Sequence, residues 1–167
     1  MRLIINGAAR AMGKLGDDQG VHRAVDEAHE LLSRNSAPGG VPSSIALGCY
    51  STAQTASNAA TAYVSLGIPD KVQYYAGLAL PEISKSDSPW SRSLVQIDIA
   101  FSLVRAREAD LEHATKLVLD ALTISAGRPI ISVQQRTSEF VHAVIGRWGS
   151  VPEVSTVLDA VSTVKER

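Results

Sequence analysis

ASNAATAYVSLGIPDKVQYYAGLAL, residues 56–80, reads as two helices joined by a tight turn. Ala59, Ala60, Ala76 and Ala79 recur where two antiparallel helices have to approach closely, and Tyr63, Leu66 and Val72 fill the space left between them. Gly67 ends the first helix because glycine accepts a left-handed cap, and Pro69 opens the second because its fixed φ suits a first turn. A hairpin of this kind cannot bury both of its faces alone. The rest of the chain must therefore supply further hairpins that stack on it.

Before this stretch, Ile5, Ala8, Ala9, Met12 and Leu15 follow helical spacing from Leu3 until Gly16. Asp17 and Asp18 then start a second helix, where negative charge complements the helix dipole, with Val21, Val25, Ala28, Leu31 and Leu32 as its apolar stripe. SAPGGVP at residues 36–42 cannot remain helical and predicts a loop, which residues 43–50 either extend or end with a short turn. The helix of the quoted stretch is expected to begin near Thr52, and its partner to run to about Lys85.

Beyond it, Asp87 or Ser88 is placed to cap a long helix through Pro89 and Trp90, with Leu94, Ile97, Ala100, Phe101 and Val104 on one face and an end near residues 108–109. Asp110 caps the return helix, which carries Leu111, Ala114, Leu117, Val118, Ala121 and Leu122 and stops at Gly127-Arg128-Pro129. A last pair spans Ile130 to Trp148 and then Pro152 to the end, with Val154, Leu158, Val161 and Val164 as the final stripe. Residues 130–133 alone would suit a strand, but the helical pattern of Gln134 to Val144 outweighs so short a run. The expected fold is all-α in one domain, eight helices in four antiparallel pairs, with turns at Gly16, Gly67, Ala109 and Gly149. Those turns lie 51, 42 and 40 residues apart. A right-handed α-solenoid of the tetratricopeptide-like type, with loosened repeats, fits this spacing.

The chain has 167 residues, 45% hydrophobic and 20% charged, within the usual size of a single domain. Sixteen basic against seventeen acidic residues, interleaved, give a formal charge of −1 and no basic face, so direct nucleic-acid contact is not expected. No apolar run approaches membrane-span length, and Asn6, Arg10 and Lys14 interrupt any signal-peptide core. The single cysteine, Cys49, allows no internal disulfide and no cysteine-built zinc site, which suits the cytoplasm.

Nothing in the sequence matches a catalytic motif: GxSxG, P-loop, GxGxxG and HExxH are all missing. No reaction, metal or cofactor is assigned. His22, Asp26 and His29 share a helix face at i, i+4 and i+7, but the outer two stand roughly 10 Å apart along the axis, too far for one ion. A solvated face with a His22–Asp26 pair is expected instead. His113 and His142 read as solvent-facing. Trp90 is expected to be buried, Trp148 to close the last turn of its helix, and one of Tyr74 and Tyr75 to point inward and the other outward.

Leu66-Gly67-Ile68-Pro69-Asp70-Lys71, Arg92-Ser93 leading into Asp98-Ile99-Ala100, Ala109 to Ala114, and Val151-Pro152-Glu153-Val154 with Leu158-Asp159 together carry a likeness. From Ala8 to Val164 the chain resembles the tetratricopeptide-like C-terminal domain of actinobacterial XRE-type helix-turn-helix transcriptional regulators. In that family a DNA-binding domain precedes the repeat domain, which senses a ligand, peptide or partner and supports dimerisation. The resemblance implies a repeat module, cut from a longer regulator or standing alone, that does not itself touch DNA. Ala109 replaces a turn glycine, and Met12 replaces the aromatic that Tyr63 provides in the second pair.

If the pairs stack in the tetratricopeptide manner, their first helices line a concave groove. Asn6, Arg10, Lys14, Gln54, Ser57, Asn58, Thr61, Gln96 and Arg105 are then its candidate residues, with Arg10, Asn58 and Arg105 suited to a carboxylate or peptide backbone. A protein, peptide or small effector is the expected partner. Two alternatives stay open: a small-molecule binding protein or enzyme with a pocket around Tyr63, Trp90 and Phe101, and a structural homodimerisation domain.

Overall fold

The computed structural model describes residues 3–34, 51–85, 89–126 and 130–165, and the loop expected at 36–50, Cys49, the caps Asp87 and Ser88, and Gly127-Arg128-Pro129 lie outside them. Among the described residues the regular structure is all helical, with no strand. A π-helical segment, Leu3–Ala9, runs into α1 (Arg10–Leu15), followed by α2 (Asp18–Arg34), α3 (Thr52–Leu66), α4 (Pro69–Ile83), α5 (Pro89–Arg105), α6 (Leu111–Ser125), α7 (Ile131–Trp148) and α8 (Pro152–Lys165). These helices divide into two compact units, Met1–Glu82 and Ile83–Arg167.

The turns follow the chemistry of their residues. Gly16, Gly67 and Gly149 are the three positive-φ positions among the described residues, and each ends a helix. At Gly67 the cap is fully formed: its own N–H donates to the Val64 carbonyl and the Ile68 N–H to the Tyr63 carbonyl, which satisfies carbonyls that the helix end leaves open. Side chains close the starts of α2, α3 and α6. Asp17 Oδ1 accepts the Gly20 N–H at 2.8 Å, Asp110 Oδ1 accepts the His113 N–H at 2.9 Å, and Ser51 forms a reciprocal capping box with Gln54.

In the first unit α1 packs on α3, and both the π-helical segment and α2 pack on the same two helices. Ala53, Ala56, Ala59, Ala60, Ala62, Ala76 and Ala79 form its small-residue core, and Tyr63 and Val72 fill it. Helices α1 and α3 approach closely at Gly13, where a Cβ would stand 2.6 Å from the Ala62 carbonyl oxygen. Leu15, expected on the buried stripe, is instead exposed, because the line that meets the core is Ile5, Ala9 and Gly13, every fourth residue.

The second unit pairs α5 with α6, sets α7 beside α5, and sets α8 beside α6 and α7. α5 is buried nearly all round, through Ser93, Val95, Ile97, Asp98, Ala100, Phe101, Ser102 and Val104. It ends at Arg105, earlier than its periodicity suggests. With no glycine at 109 to reverse the chain, residues 106–110 carry it to the Asp110 cap. Residues 131–133 open α7 rather than a strand. In α8, Val154 of the predicted stripe is buried, but Leu158 is 49% exposed and Val157 is buried in its place.

Gly13→Ala tests the α1–α3 contact with a sign that helix propensity cannot mimic. Alanine favours an open helix by about 1 kcal/mol, yet here the added methyl should cost about 1–3 kcal/mol through overpacking. Urea denaturation of the variant is expected to show a lower midpoint at an unchanged slope.

Candidate functional site

At about 100° per residue, Gln54, Ser57, Asn58, Thr61 and Ser65 fall within one arc of α3, and Ala56, Ala60 and Tyr63 on the opposite, buried side. Gln54 is exposed, and Ser57, Asn58 and Thr61 are half-buried. Much of this polarity is turned onto the helix itself. Gln54 Oε1 accepts the Ser51 N–H at 3.0 Å, Asn58 Nδ2 donates to the Gln54 carbonyl at 2.8 Å, and the Thr61 hydroxyl donates to the Ser57 carbonyl at 3.1 Å. Beside this arc stands α1. Arg10 Nη1 donates to Asn6 Oδ1 at 2.9 Å, across the wide turn of the π-helical segment, and Lys14 is exposed one turn further on.

The structure thus places Arg10, Lys14, Gln54, Ser57, Asn58 and Thr61 on two adjacent helices of one unit. Gln96 and Arg105 belong to the other unit, and nine residues apart on α5 they point to opposite sides of that helix. Gln96 Oε1 is buried without a hydrogen-bond partner, as is Nε of Arg92 one turn before it. The Arg105 guanidinium lies 5.1 Å from the centre of the Phe101 ring. Partial loss of water there draws Arg105 below its ordinary value, and the nearby Glu139 carboxylate opposes the shift.

An ion pair in the second unit was not anticipated from the sequence. Asp98, 1% exposed, is paired with Arg136 of α7, itself 12% exposed. A carboxylate on a helix with apolar residues on almost every side, Val95, Ile97, Ala100 and Phe101, is the signal that a buried partner exists. Two further links tie α7 to α5. The Phe101 and Phe140 rings meet edge to face at 5.8 Å, and Arg147 Nη1 donates to the Val104 carbonyl at 2.5 Å.

The histidine face of α2 differs from the expectation. His22 Nδ1 lies 3.0 Å from Asp18 rather than beside Asp26, and its ring meets Tyr63 edge-on at 5.3 Å. Tyr63 stacks on Tyr75 at 5.5 Å, and Tyr75 on His29 at 5.8 Å, so four rings run in series from His22 to His29. The face is not solvated throughout, because α3 and α4 bring their tyrosines against it, and His29 Nε2 is buried without a partner. Among the described residues no three His, Cys, Asp or Glu converge as a metal site. Burial is the chief cause that holds the Tyr63 and Tyr75 phenols above the ordinary tyrosine value. Tyr75, Asp26 and Asp18 add negative charge at Tyr63, and Asp26 and Tyr74 do so at Tyr75.

Trp90, expected to be buried, is 42% exposed. It sits in the first turn of α5, and a helical side chain leans back over the preceding turn, which a first-turn residue lacks. Tyr74 is 60% exposed and Tyr75 8%, the expected alternation. Tyr63 and Phe101 occupy filled core positions of separate units. No described helix is long and apolar enough to cross a membrane. Family models, curated proteins and solved structures give no match to this chain.

Arg136→Ala should lower stability by about 3–5 kcal/mol by stranding Asp98 in the interior, and Asp98→Leu combined with Arg136→Met should recover most of that loss; urea denaturation of both variants checks the pair. The tyrosines give a pH dependence of definite sign. Their folded values lie above 10.0, the ordinary value that the unfolded chain keeps, so the stability they contribute is complete below that pH and lost above it. Tyrosinate absorbance should show Tyr63 and Tyr75, two of the four tyrosines, ionising late or only with unfolding.

Proposed function

We propose that the chain is the tetratricopeptide-like interaction module of a transcriptional regulator, which recognises a protein, peptide or small effector on the polar face shared by α1 and α3. The observation that carries the reading is the arc of Gln54, Ser57, Asn58 and Thr61 on α3, beside Arg10 and Lys14 of α1. Neutral donors and acceptors at one-turn spacing suit a peptide backbone or an amide-bearing effector, and the cationic Arg10 and Lys14 suit a carboxylate on it. The order of helix contacts also supports a stack of hairpins. First helices neighbour first helices, α1 with α3 and α5 with α7, and second helices do the same, α6 with α8. The regulatory part rests on the resemblance of the turn and helix-start segments to the XRE-type family.

Recognition here is binding rather than chemistry. Asn58 and Thr61 are held by bonds to their own helix, so little side-chain freedom remains to be lost when a ligand docks, which favours affinity through preorganisation. Effector binding shifts the population of whatever attached or partner domain the module orients.

Photo-crosslinkers placed at Ser57 and Lys14 should capture a partner in cells, while one at Glu27, on the exposed side of α2, should not. Arg10→Ala with Asn58→Ala should then weaken that partner about tenfold or more, the loss expected for a charge-assisted hydrogen bond. Equal capture at Glu27, or unchanged affinity of the double variant, would remove this surface from the reading.

A further inference from the structure

One side of α1 and of the π-helical segment leading into it stands open, with large apolar groups on it. Leu3 is 86% and Leu15 84% exposed, and Gly7 and Ala11 lie exposed between them. In an α-helix, residues four apart drift round the axis by about 40° at each step. A π-helical turn holds more residues, so over Leu3–Ala9 the drift runs the other way, and the two helix types in succession keep Leu3, Gly7, Ala11 and Leu15 in one line. The same succession keeps Ile5, Ala9 and Gly13 in line on the opposite, buried side. The open stripe has a leucine at each end and a waist of small residues between them, where a Cβ on Gly7 would meet nothing within 4 Å.

The charge along the stripe points to the occupant. No acidic residue occurs from Leu3 to Leu15. Arg10 and Lys14 follow one edge of the stripe, and the half-buried Ala8 and Met12 follow the other. A waist of small residues lets a second helix approach to the roughly 8–10 Å of packed helix axes, with a leucine on each side of the crossing. Cations confined to one edge then favour a helix that carries acidic side chains along the matching edge. A bilayer is the poorer fit, because surface binding grows with apolar area and this stripe offers two large side chains separated by its waist.

We propose that this outer side of α1 docks an amphipathic helix of a partner protein, whose apolar residues cross over Gly7 and Ala11 between Leu3 and Leu15 and whose Asp or Glu side chains meet Arg10 and Lys14. The two cations also border the polar arc of α3, but the stripe uses no α3 residue. The two surfaces are therefore separable, with Leu15 belonging to one and Asn58 to the other. One helix on one stripe makes a small interface, so the complex is weak and readily reversed.

The probe is a display library of helical peptides with leucine or alanine on one face and randomised flanking positions. Selection against the full chain should converge on Asp and Glu along one flank. By fluorescence anisotropy, a selected peptide should lose about tenfold or more in affinity to Leu15→Gln and, separately, to Ala11→Gln, which fills the waist. Both positions are exposed, so the two variants should melt as the parent does. Arg10→Glu with Lys14→Glu should weaken the same peptide by a similar factor and turn a repeated selection towards Lys and Arg. Asn58→Ala should leave its affinity unchanged, which separates this surface from the α3 arc. Selection that yields no peptide, or peptides without an acidic flank, overturns the proposal, as does binding that survives both glutamine variants or falls with Asn58→Ala. Binding to phosphatidylserine vesicles, or self-association in sedimentation equilibrium, that is lost in Leu15→Gln gives the stripe to a membrane or to a second copy and overturns it as well.

Discussion

Helices α1 and α3 meet so closely that the first unit has no room at Gly13 for a methyl group. A backbone-to-backbone approach of that kind restricts everything around it. The residues that Gly13 meets on α3, Ala62 and Ser65, are small, because a larger side chain on either helix would prise the two apart. The volume that alanines leave unfilled then has to come from a few large groups set one layer out, and Tyr63, Tyr75 and Val72 occupy that role. The stacked rings of α2, α3 and α4 are in this sense a consequence of the seam.

The second unit relies on a different constraint. Asp98 is enclosed by apolar neighbours, and a carboxylate there is tolerable only with a charged, hydrogen-bonding partner. Arg136 meets that need from the adjacent helix, with Phe140 against Phe101 one turn on and Arg147 on the Val104 carbonyl beyond it. Because these links differ chemically along the seam, sliding α7 by a turn would strand Asp98 and misplace the rings. Ser93 performs a smaller version of the task towards α6 by donating to the Ala121 carbonyl at 2.9 Å. Polar groups fix alignment in one unit where small size fixes it in the other.

Each unit leaves polar surface, but of unequal use. On α3 the amide and hydroxyl groups bond back to their own helix, which holds them in place next to the cations of α1. On α5 the two candidate residues diverge, Gln96 inward with an unpartnered oxygen and Arg105 outward over Phe101. Fixed spacing along one helix therefore favours α3 as the proposed recognition surface. The stripe on α1 is of another kind, apolar with cations along one edge.

By itself the sequence determined the helices and the places where they stop. Gly16, Gly67 and Gly149 could be read as turns because left-handed backbone strongly prefers glycine, and Asp110 as a cap because a short polar side chain reaches the free N–H groups of a first turn. Periodicity likewise marked Ala59, Ala60, Ala76 and Ala79 as contact positions and set Tyr74 and Tyr75 facing opposite ways. What only the tertiary structure decided was which faces met. Periodicity identifies a buried side without naming the neighbour across it, so Asp98 could not be joined to Arg136, 38 residues away, and the His22 to His29 face could not be recognised as lined by tyrosines from two other helices. Trp90 and Leu15 were misjudged for the same reason. Burial at a helix end depends on whether another element extends over it, and that is a property of packing in three dimensions.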